Sequence, residues 1–291
     1  FHSKLITSAT FMTAMAPNLV IVALAKTLHI NITWLGWFVA GVVPSVICLL
    51  ATPYIIYKMY PPEVKETPNA KEWANEELDK MGKMKISEKL MGLIFILTLV
   101  LWMLTSFIPA IEATFVAFLA ISLLLITGVL DTKDLLHETG AWNVLIWLSV
   151  LVYMAGQLSE LGFIKWFSSS IGSALHGISW VWVLAVLMIV YFYAHYFFAS
   201  ATAHVTAMYA AFVSVAVAAG APAMLAAMLL AFTSAFMSST THYANGPASV
   251  LSSSGYVTQS EWWKMNFIMG IFYLLVYGII GTLWMKVIGL W

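Results

Sequence analysis

Thr13-Ala14-Met15-Ala16-Pro17-Asn18 and Thr240-Thr241-His242-Tyr243-Ala244-Asn245 are short polar interruptions in otherwise apolar sequence. Each sets a Thr five residues before an Asn, and each precedes a Trp-led apolar run: Trp34 follows Asn18 by 16 residues, and Trp262 follows Asn245 by 17. A helix does not run unchanged through such stretches. Pro lacks the amide N–H, and Asn competes for backbone groups. The two segments read as breaks in two related helices, and whether those helices lie in lipid or in water decides the fold.

The composition answers in favour of lipid. Of 291 residues, 62% are apolar and 9% charged, and the mean hydropathy is +0.91. A soluble domain carries about 25% charge. The chain reads as an all-α polytopic membrane protein, with room for about seven to nine spans of roughly 20 residues each. Net charge is zero and the 13 basic residues are all Lys, so no nucleic-acid partner is expected. Cys48 is alone in an apolar run, which excludes a disulfide framework and a Cys-based metal site. No signal-peptide pattern opens the chain, and Phe1 is not a Met, so a truncation upstream is expected.

Outward from the breaks, the sequence divides into three parts. Residues 1–57 hold the first break and a span at 34–57 opened by Trp34 and Trp37, the C-terminal part of a first repeat. Residues 58–89 hold seven Lys and seven acids and read as a polar linker with a short amphipathic helix near 70–82. Residues 90–291 form a second repeat. It contains spans at 90–107, 110–130 and 141–161, a helix lying in the interface at 163–177, a hairpin at 178–219, a broken helix at 222–258 and a last span at 262–285.

With loop 58–89 placed in the cytoplasm, ten Lys fall inside and only Lys26, Lys165 and Lys286 fall outside. The first break then runs inward to outward and the second outward to inward. That is the trace of an inverted-topology repeat. Irregular backbone at such depth is tolerated only where protein or a water-filled cavity surrounds it. Broken helix ends offer N–H groups to an anion and carbonyls to a cation.

Ser200-Ala201-Thr202 interrupts two apolar arms, either as an ordinary loop between spans or as the tip of a re-entrant hairpin. His195, Tyr196 and His204 flank it. Thr240, Thr241, His242, Tyr243 and Asn245 form the other polar cluster. Burying both without partners is costly, so they are expected to face one another across a cavity. His195, His204 and His242 raise the thought of a metal, but their spacings of 9 and 38 residues lack the i, i+4 pairing of ligands on one helical face, and no metal is expected. Glu112, Glu138 and Glu160 sit at span ends and read as solvated. The scarcity of carboxylates within spans argues against a carboxylate proton relay and against a charged-ring channel.

These residues resemble the divalent anion:sodium symporter family, in its citrate/succinate and 2-oxoglutarate/malate exchanger branch, over about the C-terminal three-fifths of a full member. Met15-Ala16-Pro17-Asn18 resembles the family's first break, His242-Tyr243-Ala244-Asn245 the second, and Ser200-Ala201-Thr202 the second hairpin tip. The stretch from His195 to His204 is the most specific match to the exchanger branch. The first hairpin has no counterpart and is expected upstream of Phe1.

The resemblance implies an inverted-repeat transporter with broken helices and a re-entrant hairpin, not an enzyme. It implies a homodimer working by an elevator motion in the bacterial cytoplasmic membrane. Substrate contacts are implied at Pro17, Asn18, Ser200, Ala201, Thr202, Thr241, His242, Tyr243 and Asn245, and cation contacts at Thr13, Ala14, Tyr196 and Thr240. Two departures count against sodium: Ala201 replaces the tip Asn, and the second break has lost both prolines. The expected function is therefore exchange of di- or tricarboxylates (citrate, succinate, malate, 2-oxoglutarate or tartrate) without a cofactor. The alternatives are a sodium- or proton-coupled symporter of the same fold, and a membrane-embedded His-metal enzyme.

Overall fold

The computed structural model describes residues 1–62, 68–108, 111–163, 166 and 177–291. Among them, all regular structure is helical. The chain forms two compact units, one of Phe1–Ile56 with Val144–Trp291 and one of Tyr57–Asn143. These units are contact bodies, and their limits differ from those of the sequence repeats.

The larger unit opens with α1 (His2–Thr10), which stops, and α2 (Ala16–Thr27), which restarts after the first break. Pro17 lies in the first turn of α2, where an N–H has no helical partner and its loss is harmless. α1 and α2 hold 9 and 12 residues. At 1.5 Å per residue neither crosses a hydrocarbon layer of about 30 Å alone, while the two in series do. α3 (Trp34–Met59) is long and apolar enough to cross by itself, and carries Pro44 and Pro53 within it.

In the smaller unit, α4 (Ala70–Met81) is the short polar helix and α5 (Ile86–Leu104) the first apolar one. α5 begins four residues before the expected span at 90–107, because the Glu88 carboxylate accepts the Lys85 N–H at 2.7 Å and caps the start. α6 (Ala113–Ile126) is shorter than the expected span at 110–130. Gly128, at φ +69°, closes it: the Gly128 N–H bonds to Leu125 O and the Val129 N–H to Leu124 O, the paired bonds of a left-handed helix stop. Trp102 of α5 donates its indole N–H to the Ala113 carbonyl at 3.1 Å. α7 (Thr132–His137) follows, and α8 (Thr139–Glu160) begins in the smaller unit and passes into the larger one at Val144. The expected interfacial helix at 163–177 lies, apart from residues 163, 166 and 177, outside the described residues.

The larger unit continues with α9 (Trp180–Ala194), a tight turn at His195–Phe197 and α10 (Ala201–Ala218). α11 (Ala223–Met237) ends at the second break, and α12 (Gly246–Ser252) restarts beyond it. α13 (Gln259–Leu275) passes through a π-helical turn at Val276–Gly281 into α14 (Thr282–Val287), and the three together are long enough to span.

α11 is the axis of the larger unit. Every residue from Leu225 to Met237 is buried, under α1, α2, α9, α10, α13 and α14. It carries no charge, and Ala226, Ala227, Ala231 and Ala235 let neighbouring backbones approach. Phe232 meets the Trp37 ring edge-on at 5.7 Å, and Phe236 stacks on Tyr273 at 4.4 Å. A buried polar chain ties the first helix to the last span: Thr10 Oγ1 donates to Ser45 Oγ at 2.7 Å, and Ser45 Oγ lies 2.6 Å from the Tyr277 hydroxyl. Trp284 Nε1 donates to the Val39 carbonyl at 2.6 Å, joining α14 to α3.

Candidate functional site

The two breaks are built alike. At each, an Asn side chain reaches back across the gap to a carbonyl at the point where the preceding helix stops. Asn18 Nδ2 donates to Phe11 O at 3.1 Å, seven residues upstream, and to Ser8 O at 2.8 Å. Asn245 Nδ2 donates to Ser238 O at 2.8 Å, also seven residues upstream. Asn245 Oδ1 accepts the Ala248 N–H at 2.9 Å and so caps α12. A Trp ties each break to the following span at the same separation: Trp34 Nε1 donates to Thr13 Oγ1 and Trp263 Nε1 to His242 Nδ1, each at 3.3 Å and 21 residues apart. Trp37 Nε1 takes a further freed carbonyl, that of Ala9, at 2.8 Å. These bonds satisfy backbone groups that lipid would leave bare.

The hairpin tip lies against both breaks. Ser200 caps α10, its Oγ accepting the Ala203 N–H at 3.3 Å. The Tyr243 hydroxyl donates to the Tyr196 carbonyl at 3.1 Å, fastening the second break to the turn before the tip. A cavity of about 380 Å³ opens between them. Ser200, Ala201 and Thr202 line it from the tip, Met15 and Pro17 from the first break, and Tyr243, Ala244 and Asn245 from the second. Among the described residues lining it, Lys4 alone carries a charge. The first turns of α2 and α10 both contribute to its wall, so the positive ends of two helix dipoles face it.

Of the nine residues expected at substrate, Pro17, Ser200, Ala201, Thr202, Tyr243 and Asn245 share this cavity, while Asn18, Thr241 and His242 do not line it. Asn18 and Thr241 are fully buried behind it. His242 is held by Trp263 and lines a separate cavity of about 310 Å³ with Ser252 and Thr258. The four residues expected at a cation lie off the main cavity as well. Thr13 is taken by Trp34, Ala14 turns back by N–H to Phe11 O, Tyr196 offers its carbonyl to Tyr243, and Thr240 Oγ1 bonds to Met237 O at 3.0 Å.

Three buried oxygens at the breaks have no partner, Asn18 Oδ1 in the first and Ser239 Oγ and Thr241 Oγ1 in the second. His195 and His204 are fully buried and face each other, Nδ1 to Nδ1, at 3.1 Å. One ring must donate and the other accept, so the pair holds a single proton between them. Tyr191 and Phe198 sit against His204, with ring centres 4.5 and 4.6 Å away. Among the described residues no three His, Cys, Asp or Glu side chains gather around one point.

Sequence reasoning missed two features. Lys4 entered it only as one of the inside cations, although a lone Lys in an apolar run beside a break is itself a signal of function. Pro247 also escaped notice. The second break lacks the family's prolines within the break itself, yet Pro247 sits in the first turn of α12 as Pro17 sits in that of α2.

Comparison with known proteins bears on the whole chain. The family model described as the sodium:sulfate symporter transmembrane region matches residues 1–291. The chain is 47% identical over 292 residues to a putative malate transporter, YflS, of Bacillus subtilis (strain 168), covering 100% of this chain and 61% of that protein. It is 42% identical over 298 residues to dicarboxylate transporter 1, chloroplastic, of Spinacia oleracea, covering 100% of this chain and 52% of the relative. To the L-tartrate/succinate antiporter of Escherichia coli (strain K12) it is 33% identical over 285 residues, covering 97% and 58%. The chain thus spans between half and two thirds of the length of these relatives.

Proposed function

We propose a function on the premise those matches establish: this chain belongs to the sodium:sulfate symporter transmembrane family. Within it, we infer that the protein is a secondary transporter that exchanges small di- or tricarboxylates across the bacterial cytoplasmic membrane. Malate, succinate and tartrate, the acids in the relatives' names, are the leading substrates, with 2-oxoglutarate and citrate in the same chemical class. It works as a homodimer, with loop 58–89 in the cytoplasm.

The observation that carries the reading is the shared cavity of about 380 Å³, where the hairpin tip, both breaks and Lys4 meet. In this reading Ser200, Thr202 and the free N–H groups at the start of α10 bind one carboxylate, and Asn245 and Asn18 hold the breaks in shape around it. Lys4 supplies a fixed positive charge that lets a dianion enter a low-dielectric site without sodium. Residues 1–291 hold no Arg, so none of them clamps the acid with a planar fork.

Counterflow of labelled succinate in proteoliposomes of the full-length protein tests this. Exchange is expected to persist in sodium-free, pH-clamped vesicles. Lys4→Gln removes one charge at about 5 Å, worth roughly 3 kcal/mol against each unit of substrate charge at an effective dielectric near 20, and slows exchange by about a hundredfold or more. Lys4→Arg retains it. Wild-type exchange by Lys4→Gln would remove Lys4 from the site.

Asn18 Oδ1 and Thr241 Oγ1, buried without partners, favour a second reading in which sodium travels with the substrate. Oxygen donors of this kind suit a hard cation. Succinate movement that stops when sodium is withdrawn selects this reading over exchange.

A further inference from the structure

A larger cavity, about 570 Å³, lies between α9, α11 and the last helix. Its floor is buried: Leu184, Met188, Leu225 and Leu229 are each no more than 5% exposed. Its lips open outward, with Ile189, Ile279 and Leu283 about half exposed. Gly278 keeps the floor low where the π-helical turn faces Met188, whose Cε would lie 3.8 Å from an added Cβ. The hydroxyl of Thr282 is spent on the Gly278 carbonyl at 2.6 Å. The groove is therefore greasy along its length.

One end differs. Lys286 lines it there, its Nζ 4.8 Å from the centre of the Trp291 ring, and Trp180 meets Trp291 edge-on at 5.7 Å. Lys286 is the one charged residue among the described lining. A cation beside a pair of Trp is the composition of a headgroup layer. From Lys286 inward to Leu274 the groove follows 12 residues of helix. That is about 18 Å, close to one leaflet of a bilayer whose apolar core is about 30 Å thick. A helix of another copy or of a partner would cross both leaflets. A groove one leaflet deep, with a cation at its mouth, matches one acyl chain beneath a negative headgroup.

We propose that this groove is a binding site for an anionic glycerophospholipid. One acyl chain lies along Ala185, Met188 and Gly278, the phosphate pairs with Lys286, and Trp180 and Trp291 flank the headgroup. The site is separate from the carboxylate cavity and stands whether or not that assignment holds.

The full-length protein, purified in mild detergent, is titrated with phosphatidylglycerol or phosphatidylcholine of the same acyl chains, and bound lipid is read by native mass spectrometry. Phosphatidylglycerol is expected to be retained about fivefold better, the worth of one Lys at an anionic surface. Lys286→Gln brings it down to the phosphatidylcholine level, and Lys286→Arg keeps the preference. Ala185→Phe, which fills the groove without touching charge, lowers retention of both lipids. Thermal melting of each variant confirms that it is folded. Equal retention of the two lipids by the wild type, or a preference that survives Lys286→Gln, would overturn the proposal. So would an Ala185→Phe variant that keeps its lipid and instead loses its dimer, since the groove would then hold a second copy.

Discussion

Asn18→Ala and Asn245→Ala form a matched pair, because the two side chains do the same work at the two breaks. Asn245→Ala frees the Ser238 carbonyl and uncaps the Ala248 N–H. An N-cap is worth about 1 kcal/mol, and a buried polar group left unpaired costs about 1–3 kcal/mol. The shape of the second break should therefore lose about 2–4 kcal/mol, and at 1.4 kcal/mol per tenfold its population falls by well over tenfold. Asn18→Ala frees the Ser8 carbonyl and one of two bonds to Phe11 O, a loss of similar size. Membrane insertion depends on the apolar spans rather than the breaks and should not change. The assay is initial-rate exchange of labelled succinate by the full-length protein, normalised to the amount of protein in the membrane. Both variants should lose at least about tenfold. Asn245→Ser, whose shorter hydroxyl keeps the cap and loses the donation to Ser238 without adding charge, should fall between wild type and Asn245→Ala. If either alanine variant exchanges at the wild-type rate while correctly inserted, the shared strap has no part in transport and the equivalence of the breaks is refuted.

Other outcomes follow from the same geometry. Thr202→Ala takes a hydroxyl from the cavity wall and should lower exchange at least about tenfold at unchanged membrane abundance, the worth of one hydrogen bond to a charged ligand. Gly270→Val would set a Cβ 2.6 Å from two Phe192 ring atoms, wedging α13 from α9. It should cost about 1–3 kcal/mol, read as a lower melting temperature in detergent. Trp37→Phe keeps the packing on Phe232 but loses the indole donor to Ala9 O. A stability loss of about 1–3 kcal/mol in the same melt is expected, from one carbonyl left bare in the core.

Much of the scaffold was legible because apolar runs, Trp-led span starts and the Thr-to-Asn spacing are local signals. The pairing of Asn18 with Asn245, noticed as spacing, reappears as the same hydrogen bond to the seventh residue upstream. Features that depend on distant contacts were hidden. Lys4 lines the cavity only because α1 packs on α11 and brings its N-terminal turns beside a hairpin almost 200 residues away. His195 and His204 are nine residues apart, off any helical repeat, and meet because a tight turn and the Ser200 cap fold the tip back. Asn18 and Thr241 are polar residues beside the site in sequence, yet their side chains turn into the protein rather than the cavity. Polarity in an apolar chain announces that a residue is needed, but not which way it points.

The π-helical turn at Val276–Gly281 has a consequence for how this chain tolerates change. Such a turn carries one residue more than an α-helix needs. Tyr273 before the turn and Tyr277 within it face the core; downstream, Trp284 reaches α3 and Lys286 reaches the groove. Deleting a single codon here would let the turn wind as regular α-helix and leave the flanking segments close to their present faces. Deleting one from the plain α-helix before it would instead swing everything after it by about 100°, so that Trp284 would leave its carbonyl and Lys286 its place. The wide turn is thus slack in the last helix, and a one-residue deletion within 276–281 should be far less damaging than one within Gln259–Leu275.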